Sequence, residues 1–85
     1  MPPEDLLTAI RRRPFVPFRM HVSDGSVFEI RHPELLLVGF ASVIVGIPAQ
    51  PEQSYYTRTE VVANSHIVRL VPMEQAGAQK GNGQA

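Results

Sequence analysis

Histidine has the widest chemical range of any residue type in this chain, because imidazole binds zinc and exchanges protons near neutral pH. His21 falls in a predicted strand, His32 at the end of the next strand, and His66 in a distant turn. A zinc site needs several ligands that converge on one point, and no cysteine is present to complete such a set. We therefore expect no metal site and no cofactor.

The chain offers little for catalysis by a nucleophile or by paired carboxylates. Its two aspartates have local structural roles, Asp5 at a helix start and Asp24 in a hairpin turn, and the sequence contains no Gly-x-Ser-x-Gly motif. Glu29 is expected to pair with Arg19 across a hairpin. The glycines near the C-terminus precede no predicted helix, so they form no phosphate-binding loop. We expect no catalytic residues and interpret the chain as non-enzymatic.

One basic run, Arg11, Arg12 and Arg13, could contact phosphates. The same residues at the C-terminal end of a helix would also stabilise the helix dipole. Residues 1–74 carry seven arginines against eight carboxylates, so the composition lacks the basic surplus that is typical of nucleic-acid binders. Nucleic-acid binding through these arginines is therefore an alternative that the composition does not favour.

The size and the end sequences bound the class of protein. With 85 residues and no cysteine, the chain builds one core without disulfides. Glu4 and Asp5 occupy the region where a signal peptide would carry basic residues. The longest uncharged stretch, residues 35–49, is shorter than the roughly 20 residues of a membrane helix. We expect a cytoplasmic protein with no membrane contact.

A short helix is predicted over about residues 3–12. Proline at the first helical position and acids in the first turn both favour its start. Leu6 and Ile10, four residues apart, form an apolar stripe, and Pro14 ends the helix.

A β-hairpin follows the helix, because the apolar period changes to two from Phe18 onward. A three-residue loop, Ser23-Asp24-Gly25, with Gly25 at positive φ would pair Met20 with Phe28 on one face. The same register pairs Arg19 with Glu29 on the other face. A two-residue loop would mix the two faces.

The remaining strands indicate a mainly β domain. Residues 35–38 and 43–47 are apolar on both faces and predict a second hairpin. Two further strands are predicted over residues 55–63 and 67–71, separated by a turn at Asn64. The order predicts a small antiparallel SH3-like or Sm-like barrel, or a strongly bent sheet, of five to six strands with a short N-terminal helix. We expect one domain over residues 1–74 and a disordered tail over residues 75–85.

One stretch carries a family resemblance: Arg12-Arg13-Pro14-Phe15-Val16-Pro17-Phe18-Arg19, followed by His21, Ser23-Asp24-Gly25, Phe28-Glu29 and His32-Pro33-Glu34. This pattern resembles a family of short uncharacterised bacterial proteins. His66-Ile67-Val68-Arg69-Leu70 is similar to that family too, so the likeness covers about residues 4–72. It implies the fold of that family and no assigned activity.

A second, weaker likeness is to the bacterial Sm-like RNA chaperone. That family has a short helix, five bent strands and a histidine shortly before a final strand that ends in Val-Pro. His66 and Val71-Pro72 match those features. The likeness implies an Sm-like nucleic-acid-binding module, in which His66 and the three arginines would contact the nucleic acid.

The sequence therefore leaves the function unknown and favours a non-enzymatic interaction or structural domain. The hairpin that is apolar on both faces needs a cover on each side, and the helix supplies only one. A second copy of the chain is the simplest source of the other cover. We expect a homo-oligomer.

Overall fold

Six strands form two three-stranded antiparallel sheets behind one N-terminal helix, and the fold is mainly β as the sequence predicts. The computed structural model describes residues 1–73, so the predicted tail over residues 75–85 lies outside the described residues. The elements are α1 (Pro3–Arg11), β1 (Phe18–Val22), β2 (Val27–Ile30), β3 (Leu36–Val38), β4 (Ser42–Ile47), β5 (Arg58–Ala63) and β6 (Ile67–Pro72). Two 3₁₀ turns, Pro33–Leu35 and Asn64–His66, precede β3 and β6.

Helix α1 covers the predicted segment to within one residue at its C-terminal end. Proline stands at the start, the first turn is acidic, and Leu6 is fully buried in the core. At the other end, Nη1 of Arg13 donates to the carbonyls of Ile10 at 3.0 Å and Arg12 at 2.8 Å. This arginine therefore satisfies carbonyls that the end of the helix leaves without a partner.

The first sheet has the strand order β2-β1-β6. Met20 pairs with Phe28, and Arg19 pairs with Glu29, which confirms the register predicted from parity. Gly25 has a φ of 94°, a conformation that favours glycine, so the predicted three-residue loop is also confirmed.

The second sheet has the order β3-β4-β5, and the predicted starts of its three strands were wrong. Strand β4 begins at Ser42, one residue earlier than predicted. Leu35 belongs to a 3₁₀ turn rather than to the strand, because the chain bends after Pro33. The strand predicted from residue 55 begins only at Arg58. A Cβ added to Gly46 would lie 2.8 Å from Cδ1 of Tyr56, so the tyrosine ring lies over the sheet instead of extending β5.

Both sheets and the helix share one apolar core. Its buried members are Leu6, Phe18, Met20, Ile30, Leu36, Val43, Val45 and Ile67. Phe28, which the sequence pattern assigns to the same core, is only partly buried. No helix of residues 1–73 is long and apolar enough to cross a membrane.

Asn64 is the one polar residue that is buried within residues 1–73. Its Nδ2 donates to the carbonyls of Gly39 and Phe40, each at 3.0 Å. Its backbone nitrogen donates to the carbonyl of Ala41 at 2.9 Å, and its own carbonyl accepts from the amino group of Met1 at 2.6 Å. The residue therefore ties the β3–β4 turn to the segment that leads into β6.

We predict that Asn64→Asp destabilises the fold by about 1–3 kcal/mol or more, because a carboxylate cannot donate to two carbonyls and would be buried near them. Thermal unfolding followed by circular dichroism measures the loss. The matched control is Ser65→Ala, an exposed change in the same turn. Equal melting temperatures for the two variants would contradict a structural role for the amide.

Candidate functional site

The outer face of the second sheet is apolar and exposed. Leu37, Ile44 and Val61 are register partners across β3, β4 and β5, and they are 60%, 40% and 69% exposed. The other outward positions of these strands are Ser42, Gly46, Thr59 and Ala63, so none carries a charge. We call this set of seven residues the apolar face.

Aromatic residues lie close to the apolar face. The ring of Tyr56 covers Gly46 and is itself half exposed. Phe40, at the β3–β4 turn, is 92% exposed, while its carbonyl is held by the amide of Asn64. A large apolar side chain is thus presented to solvent on a fixed backbone.

The outer face of the first sheet is charged instead. Nε of Arg19 lies 3.3 Å from Glu29, and Nη2 of Arg31 lies 2.8 Å from the same carboxylate. His21 and Arg69 are register partners on this face. The two sheets therefore differ in the surface that they turn outward, since one carries an ion-pair network and the other carries no charge.

The hydrogen bonds of Arg31 hold the pKa of Glu29 below its ordinary value, and the charges of Arg31 and Arg19 act in the same direction. Desolvation opposes this shift. A hydrogen bond from the backbone of Ser26 likewise lowers the pKa of Asp24 in the hairpin turn. Both carboxylates are therefore charged at neutral pH.

The proposed nucleic-acid contacts lie at opposite ends of the first sheet. Arg12 lines a cavity with Phe18 and Pro72, whereas His66 lines a cavity with Val22. Phe18 and Val22 are the two ends of β1, which are roughly 13 Å apart at the rise of a strand. The structure does not bring His66 together with the run formed by Arg11, Arg12 and Arg13.

His66 contacts the β1–β2 turn, a relation that the sequence pattern did not indicate. Its Nδ1 lies 2.9 Å from Oγ of Ser23, and its carbonyl accepts from the backbone nitrogen of Ser23 at 2.8 Å. These bonds link two turns that are far apart in sequence. Parity arguments treat each hairpin separately, so they cannot reveal such a contact.

The three histidines occupy separate places. Nε2 of His32 lies 3.2 Å from the carbonyl oxygen of Glu52, His66 contacts Ser23, and His21 lies in β1. Within residues 1–73, no group of three histidine, aspartate or glutamate side chains lies close enough together to hold a metal ion.

Comparisons with family models, with curated proteins and with solved structures found no match to this chain. The functional argument therefore depends on the chemistry of its own residues.

We predict that Glu29 stabilises the fold above its unfolded pKa and that this contribution is lost as pH falls from the ordinary glutamate pKa through the lowered folded pKa. In Glu29→Gln, this part of the acid destabilisation should be absent. Melting temperatures measured across that range test the prediction, with the exposed Glu34→Gln as the matched control. Parallel pH profiles for wild type and Glu29→Gln would contradict it.

Proposed function

We propose that this domain is a non-enzymatic interaction module that self-associates, with a second copy packed against the apolar face. The observation that carries the proposal is the exposed row of Leu37, Ile44 and Val61. Contiguous exposed apolar side chains with a polar surround are typical of protein interfaces. Burying them removes apolar surface from water, which favours association.

The outward positions of β3, β4 and β5 carry no charge, which also supports the binding of another protein chain to this face. Packing a second sheet on this face desolvates no ionised side chain, so association carries none of the penalty of a buried ion. The first sheet differs, because covering it would desolvate Arg19, Glu29 and Arg31. The second sheet is therefore the more favourable interface.

The row is also self-complementary. Ile44 lies on the central strand, with Leu37 and Val61 on either side of it. A twofold axis that runs parallel to β4, between the two copies, would place Ile44 against the partner's Ile44. The same axis would place Leu37 against the partner's Val61. The two sheets would then pack about 10 Å apart, as in a β-sandwich, with the aliphatic row at the centre of the contact.

The finer fold assignment belongs to the same proposal. We propose that the two sheets together make an Sm-like or SH3-like small barrel, because the chain turns sharply between β2 and β3 and again between β5 and β6. The two 3₁₀ turns at these positions support this interpretation. We also propose a cytoplasmic location for the module.

We predict that Val61→Lys converts the oligomer to a monomer, because a charge in the apolar face must be desolvated on association. Val68→Lys is the matched control, since Val68 is a 56% exposed valine of β6 in the other sheet. Light scattering at micromolar concentrations measures the mass against that of the 9.4 kDa chain.

A wild-type mass equal to one chain would contradict self-association. If Val68→Lys alone dissociated the oligomer, the interface would lie on the first sheet. Melting curves of both variants check that each is folded before its mass is interpreted.

A further inference from the structure

A groove lies between the β2 edge of the first sheet and the β5 edge of the second. One cavity, of about 340 Å³, is lined on one side by Val27, Glu29 and Arg31, in and just after β2. Its other side is formed by the end of β4, the loop that follows it and Arg58 at the start of β5. A neighbouring cavity, of about 420 Å³, lies next to the C-terminal half of β5. Phe28 lines both cavities, which explains why this core position is only partly buried.

The hydrogen-bonding pattern shows which backbone groups face away from β1. Val22 donates to Ser26 at the start of the hairpin, and bonded pairs alternate along an antiparallel ladder. Phe28 and Ile30 therefore bond to β1, whereas the N–H and C=O groups of Val27 and Glu29 point outward. Both outward residues line the first cavity.

The edges of β3 and β6 are less available for pairing than the edge of β2, which borders the groove together with the edge of β5. On β6, Pro72 has no N–H to donate. On β3, the N–H of Leu36 already donates to the carbonyl of Pro33. The edge of β2 thus combines free donors and acceptors with an adjoining groove, which is the arrangement that accepts an added strand.

The charges in the groove differ from one end to the other. Arg31 and Arg58 outnumber the single carboxylate, Glu29, in the first cavity. In the second cavity, Asp24 and Glu60 are the carboxylates beside His66. Glu60 also accepts from Nη1 of Arg58 at 2.7 Å, so Asp24 is the carboxylate that carries the acidic end of the groove. An extended ligand with an acidic residue at one end and a basic residue at the other would complement this gradient.

We propose that the groove binds an extended peptide segment of a partner protein, which pairs as an added strand with Val27 and Glu29. An apolar side chain of the peptide contacts Phe28, and an acidic side chain faces Arg31 and Arg58. This site is a second interaction surface that adjoins the apolar face at Val61, and it goes beyond self-association through that face.

The test begins with a phage-displayed library of random peptides of about eight residues, the usual length of one strand. Selection on the wild-type domain should enrich peptides with alternating apolar residues and an acid near one end. Fluorescence anisotropy then measures the affinity of an enriched peptide. Hydrogen exchange should show slower exchange of the Val27 and Glu29 amides in its presence.

Val27→Pro is the decisive variant, because it removes an outward N–H and leaves the β1–β2 hydrogen bonds intact. Affinity should fall by about tenfold, the usual effect of one lost backbone bond with its partner left unpaired. Val27→Thr is the matched control, since it keeps the N–H and the branched side chain, and it should bind like wild type.

Arg58→Glu gives an independent test of the charges in the groove; it reverses an exposed charge and removes the ion pair of Arg58 with Glu60, and it leaves the backbone of β2 unchanged. Selection on this variant should favour basic instead of acidic residues at the corresponding peptide position. A library that shows no enrichment on the wild-type domain would overturn the proposal, as would equal affinity for Val27→Pro and Val27→Thr. Loss of self-association in Val27→Pro would also overturn it, since the β2 edge would then be the site of a second copy.

Discussion

The amide of Asn64 joins the β3–β4 turn to the 3₁₀ turn that leads into β6, and the orientation of the two sheets depends on this connection. It satisfies the two carbonyls of the β3–β4 turn, and its neighbour His66 bonds to the β1–β2 turn. One 3₁₀ turn therefore connects hairpins from both sheets. In a chain without disulfides, such polar contacts orient two small sheets that a few apolar side chains alone would fix less firmly.

The outer faces of the two sheets differ because their strands place different residue types on the side that faces away from the core. Strands β1 and β2 alternate apolar with charged residues, so one side packs on the core and the other carries ion pairs. Strand β4 has valines on the inner side and Ile44 on the outer side. Covering an exposed apolar side of a sheet removes apolar surface from water, which is favourable. The apolar residues on the outer side of β4 are therefore the link between the sequence of this strand and the proposed self-association.

Phe28 shows how packing and binding compete in so small a domain. Full burial of its ring would add to the core, yet the cavities on either side of it leave the ring partly exposed. Domains of this size bury a smaller share of their surface than larger domains do. An open groove beside the core is therefore costly, and a ligand that fills it would recover part of the missing apolar burial.

The amino-acid sequence was sufficient to predict the strand pairing of the first hairpin, the ion pair of Arg19 with Glu29, and the extent of the helix to within one residue. These features depend on residues that are close along the chain. In the first hairpin, the alternation of apolar and polar residues and a three-residue loop that ends in glycine allow only one consistent register. The two-sided apolar character of β4 was also readable, because it requires only composition.

The other contacts became evident only in the folded structure. It placed Val61 beside Ile44, laid Tyr56 over Gly46, buried the amide of Asn64, and separated His66 from the arginines at the end of the helix. Each of these relations joins segments whose distance in space depends on how the two sheets pack. A periodic pattern assigns a residue to a face of its own strand. It carries no information about which distant segment will cover that face, and the packing of the whole chain decides this.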